Sequence, residues 1–361
     1  MNPMKPPELH KGRGVLSNPE GRFESVRKEQ SDDGWNTPVE PEDLPPLETV
    51  VRPDPSRSII SRNQSPDIPF SQSINPYKGC EHGCIYCYAR PSHAYLNLSP
   101  GLDFETKLFY KADAARLLDA ELRRPSYRVQ SITLGANTDP YQPIEKHLKV
   151  TRGILETLQR FDHPFTIITK STLVTRDIDI LAEMAKKHLV VVMVTITTLD
   201  NGLKRHLEPR AGSPAGRLKA IRQLAEAGVP VGVMTAPIIP VVNDAEMETI
   251  LEKAAAAGAG GAGYVLLRLP YELKDLFKEW LAEHYPLKAE HVMSIIRQSR
   301  DGKEYDSGFG TRMRGTGQFA DLIAQRFHLA TKRLNLGFGS RMRLDSSHFK
   351  VPPEGGQLEL L

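Results

Sequence analysis

The run Gly79-Cys80-Glu81-His82-Gly83-Cys84-Ile85-Tyr86-Cys87-Tyr88 contains every cysteine of the chain. Its C-x3-C-x2-C spacing gathers three thiols into one short loop. Thiolate sulfur is the usual ligand of iron–sulfur clusters, and a four-iron cluster fully ligated by protein takes four of them. A set of three leaves one iron open to something other than a side chain. Two other chemistries compete with this reading. Disulfides want an even count of cysteines and an oxidising compartment. Zinc wants a fourth ligand, which His82 or His93 supplies, although the usual zinc patterns set two ligand pairs some distance apart. The open-iron cluster is the expectation. A non-catalytic nucleic-acid-binding protein with zinc on three cysteines and one histidine is the alternative.

With an aromatic residue just before its last cysteine, the motif resembles that of the radical S-adenosylmethionine (SAM) superfamily. The resemblance implies a [4Fe-4S] cluster on Cys80, Cys84 and Cys87, with the methionyl amine and carboxylate of SAM on the fourth iron. It implies reductive cleavage of SAM to a 5′-deoxyadenosyl radical that abstracts hydrogen from a substrate. An external one-electron reductant such as flavodoxin or ferredoxin goes with that chemistry. The residues agree: soft thiolates suit iron, and the vacancy accepts a hard amine and carboxylate. Tyr86, by similarity, lies against the adenine; read alone, it is an ordinary half-buried aromatic.

The chain has 361 residues and a net charge of +3, so its overall charge carries no message about partners. No apolar stretch reaches the length of a membrane span, and the start lacks the apolar core of a signal peptide. A soluble, cytoplasmic protein is expected, where thiols stay reduced. Residues 1–65 hold ten of the 28 prolines and no sustained periodicity, which reads as an irregular, proline-rich arm. Val15, Phe23, Trp35 and Ser58-Ile59-Ile60 are its candidate anchors.

From about residue 105, helix and strand patterns alternate. Helical spacing marks 112–124, 148–160, 176–187, 214–227, 244–257 and 273–284. Short apolar or β-branched runs mark strands at 129–136, 165–169, 189–197, 229–235 and 264–269. With a first strand just before Cys80, this makes six strand–helix units. Near-continuous apolar strands separated by helices argue for a parallel sheet. A complete eight-unit barrel takes about 250 residues, so six units argue for an open one. The expected fold is α/β: a partial (β/α)6 TIM-type barrel over 66–287, with the arm before it and a basic helical extension over 288–361. The superfamily resemblance implies the same partial barrel.

Parallel barrels put their chemistry at the C-terminal ends of the strands. Polar residues recur there: Thr138-Asp139, Thr169-Lys170-Ser171, Thr195 and Thr197, Glu208 and Arg210, and Arg268. Within the superfamily, Cys84-Ile85-Tyr86-Cys87-Tyr88, the Thr138-Asp139 turn and Thr169-Lys170-Ser171 resemble the spore photoproduct lyase-like (DNA repair photolyase-like) group. The resemblance implies cofactor contacts at Thr138 and Lys170, and at a threonine among Thr195 and Thr197. An ammonium and a hydroxyl suit a carboxylate, while the plain readings are a loop cap and a solvated lysine. Asp139, Glu208, Arg210 and Arg268 are candidates for the remaining cofactor and substrate contacts. Tyr86 and Tyr88 match a tyrosine pair of the lyases' radical relay, which makes Tyr88 the catalytic candidate. The sequence departs at Ala136, where the lyases have a hydrogen-donor cysteine, so the lyase reaction is not carried over.

Two further features complete the reading. Gly258-Ala259-Gly260-Gly261-Ala262-Gly263 satisfies G-x-G-x-x-G, but a helix precedes it and a strand follows, the reverse of a dinucleotide site. It reads as a flexible turn. Between Arg297 and Lys350, eleven Lys/Arg face five Asp/Glu, interleaved with Phe309, Phe319, Phe327 and Phe338. Such a segment can track nucleic acid, or it can be the solvated face of a closing helix over 318–334 that packs Phe319, Ile323 and Phe327 inward.

Overall fold

The structure, a computed structural model, describes residues 12–23 and 47–353. Trp35 lies outside the described residues. Of the other arm anchors, Val15 and Ile59 are buried and Phe23 is exposed. The chain first forms β1 (Val50–Pro53), β2 (Ile60–Arg62), β3 (Gln72–Ile74) and β4 (Tyr77–Lys78). Then come α1 (Leu102–Thr106), β5 (Lys107–Tyr110), α2 (Ala114–Leu122) and β6 (Ile132–Leu134). Next are α3 (Glu145–Leu148), α4 (Val150–Arg160), β7 (Phe165–Thr169), α5 (Ile178–Ala185) and β8 (Val190–Thr195). The barrel continues through α6 (Asn201–Leu207), α7 (Pro214–Glu226), β9 (Val231–Ile238), α8 (Met247–Ala256) and β10 (Gly261–Leu266). Helices α9 (Leu273–His284), α10 (Ala289–Gln298) and α11 (Gly317–Arg333) follow.

The main sheet has the order β10-β9-β8-β7-β6-β3-β2. Neighbours from β3 to β10 run parallel, and β2 adds antiparallel to β3. Sequential order with helical crossovers gives six parallel units, and the two free edges leave the barrel open. Strand β8 reads Val-Val-Val-Met-Val-Thr and is buried along its whole length, as a strand covered on both faces must be. Leu155, Leu158, Leu181, Ile221, Leu224 and Leu251 cover it and its neighbours from the helices.

Three placements differ from the sequence expectation. The first parallel strand ends at Ile74, not next to Cys80. Pro76 offers no N–H to a ladder, and Tyr77–Lys78 instead pairs with β5 in a small second sheet that also holds β1. Two short strands thus fall within residues 47–65, where the proline-rich composition gave none. The glycine run is only partly a turn. Gly258, at φ +102°, follows α8, but Gly261 and Gly263 lie inside β10, where a Cβ would stand 2.5 and 2.6 Å from the sulfurs of Met342 and Met234. Both glycines let a flexible methionine side chain pack onto the strand, so this part of the run is strand and not turn.

The segment after α10 crosses the open side of the barrel. Leu266 N, at the β10 edge, donates to Met313 O at 2.9 Å. At the other edge, past β2, Asp67 accepts from Gly310 N at 2.7 Å and pairs with Arg312. The basic extension is partly neutralised, mostly by acids of the barrel: Arg326 pairs with Glu248, Arg333 with Glu252, Lys350 with Asp162 and, within the extension, Arg297 with Glu290. Ile323 is buried on the inner face of α11, with Phe319 and Phe327 packed beside it.

Candidate active site

The cysteine loop follows β4 and is tied on all sides. Cys80 N donates to Phe104 O at 2.9 Å, Glu81 N to Gln142 Oε1 at 2.9 Å, and Ile85 N to Leu207 O at 3.1 Å. Cys80 and Cys84 are buried and Cys87 is half-buried; all three thiols are free. Burial pushes the Cys84 thiol up to about 12, with Lys170 and Arg217 pulling the other way. Burial also holds Cys80 well above its usual range, and Asp139 adds to the effect. Without a bound cation these thiols therefore keep their protons, so ligation must release them.

The zinc alternative finds little support in its two histidines. His82 Nδ1 faces Asp139 Oδ2 at 3.4 Å. His93 Nε2 lies 2.9 Å from Lys107 O, its Nδ1 is buried without a partner, and burial lowers its pKa to about 4. Among the described residues, no three His, Cys, Asp or Glu groups, the three cysteines included, are drawn together on one metal-ion position.

The strand ends bring the other candidates together, in roles that differ from residue to residue. Thr138 is buried and its hydroxyl donates to Tyr77 O at 2.8 Å, so it caps the turn and can meet a ligand only as an acceptor. Asp139 accepts from Thr169 Oγ1 at 2.7 Å, Tyr141 N at 2.9 Å and Lys170 N at 2.7 Å. Burial alone would raise its pKa, but His82 and these donors hold it at about 2. Asp139 thus knots the ends of β6 and β7 together.

Glu208 is the centre of a second knot. It is fully buried; Oε1 accepts from Thr197 Oγ1 at 2.6 Å and from the Tyr86 hydroxyl, and Oε2 pairs with Arg217. Burial works against ionisation, yet Arg217 and Lys170 hold the carboxyl at about 2. Arg217 also donates to the Thr195 and Gly212 carbonyls, both at 2.9 Å. This network fixes Tyr86 by its hydroxyl and so pins the cysteine loop to the end of β8. Arg210 pairs with Glu81 at 3.0 Å and ties the same loop from another side.

Two cations keep capacity to spare. The Lys170 ammonium lies 5.6 Å from the Tyr86 ring centroid and makes no hydrogen bond or ion pair among the described residues. Burial lowers its pKa, but Cys84, Glu208 and Asp139 more than offset this, so it stays protonated. Arg268 lies over the Tyr88 ring at 5.4 Å, with its Nε buried and unpartnered. Tyr88 is 47% exposed as a residue, and its hydroxyl donates to the Ala136 carbonyl.

Sequence reasoning missed Arg217 and Gln142. The signal for Arg217 was present: it falls on the buried face of α7 with Pro214, Ala220, Ile221 and Leu224, and an arginine on an apolar stripe needs a buried partner. Gln142 bridges the Glu81 amide and the Gly79 carbonyl from beyond the Thr138-Asp139 turn, and nothing in its spacing announced that.

The geometry can be set beside known proteins. The sequence profile of the Radical SAM superfamily matches residues 74–254. An uncharacterized protein of Mycobacterium tuberculosis is 39% identical over 233 residues, 64% of this chain and 68% of that one. An uncharacterized protein of Acidianus two-tailed virus is 26% identical and covers 80% of this chain and 89% of its own. Among solved structures, a spore photoproduct lyase mutant superposes with a TM-score of 0.56 at 17% identity, over 80% of each chain. That likeness is one of fold. The chain belongs to the Radical SAM superfamily. It is accordingly a radical SAM enzyme, whose cofactors are a [4Fe-4S] cluster and SAM, so the non-catalytic alternative falls. Among the described residues no helix is long and apolar enough to cross a membrane.

Proposed function

We propose that Cys80, Cys84 and Cys87 hold the cluster, and that SAM binds between it and the strand ends. The observation that carries this reading is the unpaired Lys170 ammonium beside Cys84 and Tyr86, in a site whose carboxylates are already matched. The donor set fits the group: three soft thiols, two of them buried, with cations facing Cys84. When bound, cluster and SAM supply a 5′-deoxyadenosyl radical able to abstract hydrogen. The chain's own contributions are positional. Lys170 offers its ammonium to the SAM carboxylate, a charge-assisted bond. Tyr86, held by Glu208 and Thr197, keeps its ring fixed beside that lysine, in reach of the adenine. Asp139 sets Lys170 through its backbone N–H, and Thr138 holds the adjoining turn. Thr195 acts through its carbonyl on Arg217, and Glu208 and Arg210 hold the loop instead of meeting a ligand.

For the substrate we propose a nucleic acid, bound at the Tyr88–Arg268 mouth. An exposed ring with a guanidinium over it suits a base and its phosphate. A solved spore photoproduct lyase of this fold is described as complexed with a dinucleoside spore photoproduct. The basic extension supports this less, because five of its cations, Arg297, Arg312, Arg326, Arg333 and Lys350, are already paired. With Ala136 in place of a donor cysteine, no lyase reaction is proposed, and Tyr88, whose hydroxyl donates to the Ala136 carbonyl, is the redox-active candidate there.

The test is 5′-deoxyadenosine release by the reconstituted, reduced protein, with single-stranded oligonucleotides, peptides or no addition. Stimulation by the oligonucleotides, diminished in Arg268→Ala and Tyr88→Ala, is expected. Stimulation by peptides alone would contradict the substrate, and equal iron and sulfide in wild type and Cys84→Ala would contradict the ligand set.

A further inference from the structure

Glu105, in α1, is fully buried and takes no part in the networks above. Its carboxylate accepts from Gly14 N at 2.9 Å, Val15 N at 3.2 Å and Arg90 Nη2 at 2.5 Å. Arg90, equally buried, sends Nε to the Cys84 carbonyl at 2.9 Å. Its Nη1 donates to the carbonyls of Gly101 and Pro100 at 3.1 and 3.3 Å. One carboxylate therefore links the N-terminal segment, through an arginine, to the backbone of the central cysteine.

That segment is fitted to the loop atom by atom. A Cβ on Gly14 would stand 1.7 Å from Gly83 O, backbone on backbone. A Cβ on Gly83, at φ +67°, would stand 2.8 Å from Glu105 Oε2. Val15 is buried in the same apolar cluster as Cys84, Ile85 and Tyr86. Arg13 Nη1 donates to Glu105 O at 2.9 Å, Ser17 Oγ to Glu279 Oε2 at 2.6 Å, and Asn18 Nδ2 to Asp103 Oδ1 at 3.1 Å. So many specific bonds in so short a stretch make a built wall, not a passing tail.

We propose that Glu105 is a positioning residue for the cluster: it clamps Gly14 and Val15 onto Gly83 and, through Arg90, fixes the Cys84 carbonyl. Residues 13–18 then form one wall of the thiol site. The role toward the cluster rests on the ligand set proposed above; the wall around the thiols does not. Replacing this carboxylate by an amide leaves one acceptor oxygen for two backbone N–H groups and a guanidinium, and turns an NH2 toward at least one of them.

The test uses the full chain without metal, alkylated by iodoacetamide and read cysteine by cysteine by peptide mass spectrometry. Cys87, already half-buried, is the internal control. Glu105→Gln is expected to speed Cys84 alkylation relative to Cys87 by about tenfold, as loss of a charge-assisted hydrogen bond does to a local opening equilibrium. Gly14→Ala is expected to do the same. The double variant should be no faster than the faster single one, the signature of residues acting as a unit. Circular dichroism and Tm confirm that each variant is folded; if Glu105→Gln is not, Gly14→Ala and Arg13→Ala carry the test. Equal acceleration at Cys84 and Cys87, or none at either, would overturn the clamp. Either result leaves the cluster reading standing, and a failure to bind iron would leave the alkylation ratio just as informative.

Discussion

At the N-terminal end of the strands, Tyr127 and Phe349 pack against His163, and Phe161 stacks on Phe349. His163 Nε2 lies 2.7 Å from the Tyr127 hydroxyl and its Nδ1 2.9 Å from Pro164 O. Burial lowers its pKa to about 4, so the floor of the barrel keeps its titratable group neutral. At the C-terminal end the reverse holds. Glu208 and Asp139 stay ionised with pKa values of about 2, and Lys170 stays protonated beside them. Both ends bury titratable groups, but the floor keeps His163 neutral and pairs only Asp162 at its rim, with Lys187 and Lys350, whereas the mouth holds Glu208 fully buried and ionised against Arg217. The difference teaches where chemistry is placed: the floor closes the barrel, and the mouth holds fixed charge with one ammonium left over.

The largest break in this comparison comes from Arg217→Ala. It strands the buried Glu208 carboxylate and should cost about 3–5 kcal/mol, read as a drop in the urea unfolding midpoint. A loss no larger than that of an exposed salt bridge would mean the mouth does not hold its charges as described.

Acid unfolding sharpens the comparison by separating the ends in pH. The His163 pKa falls from 6.5 to about 4 on folding, so its share of stability is complete above 6.5 and is lost as pH falls through 4. That share is on the order of 3 kcal/mol. The Glu208 pKa falls from 4.5 to about 2, so its share is complete above 4.5 and lost only toward 2. His163→Gln should make the fall in stability between pH 6.5 and 4 shallower, with His93 keeping its own share, and leave the lower window unchanged. An unaltered slope in the upper window would show that the floor does not keep its histidine neutral.

The smallest effect on the fold, and the most specific to function, belongs to Lys170→Met. The ammonium makes no hydrogen bond or ion pair among the described residues and acts on Glu208 only through space, so Tm should fall less than in Arg217→Ala. SAM affinity of the reconstituted protein should fall about tenfold, for a lost bond of about 1.5–3 kcal/mol. Unchanged affinity would remove Lys170 from the cofactor site.

Much of this architecture was legible beforehand, for physical reasons. The barrel strands are continuous apolar runs and the helices carry clean 3.6-residue patterns, so Phe165–Thr169 and Leu273–His284 fall where periodicity puts them. The cysteine loop announced itself by residue type alone. The small sheet did not, because β1 and β4 are too short to show a period. Helix α10 buries Val292, Met293 and Ile296, but it lay in a segment whose charge drew the reading toward a tail. At the site, the sequence showed which residues are polar at strand ends but not which of those already have partners. Glu208 and Arg210 looked like free contacts and are spent on Arg217 and Glu81, whereas Lys170 looked the same and is not.

The most direct measurement is the EPR spectrum of the anaerobically reconstituted, reduced protein with and without SAM. The account predicts a [4Fe-4S]+ signal that changes on adding SAM and is lost in Cys84→Ala. A signal indifferent to SAM, or one retained without Cys84, would contradict it.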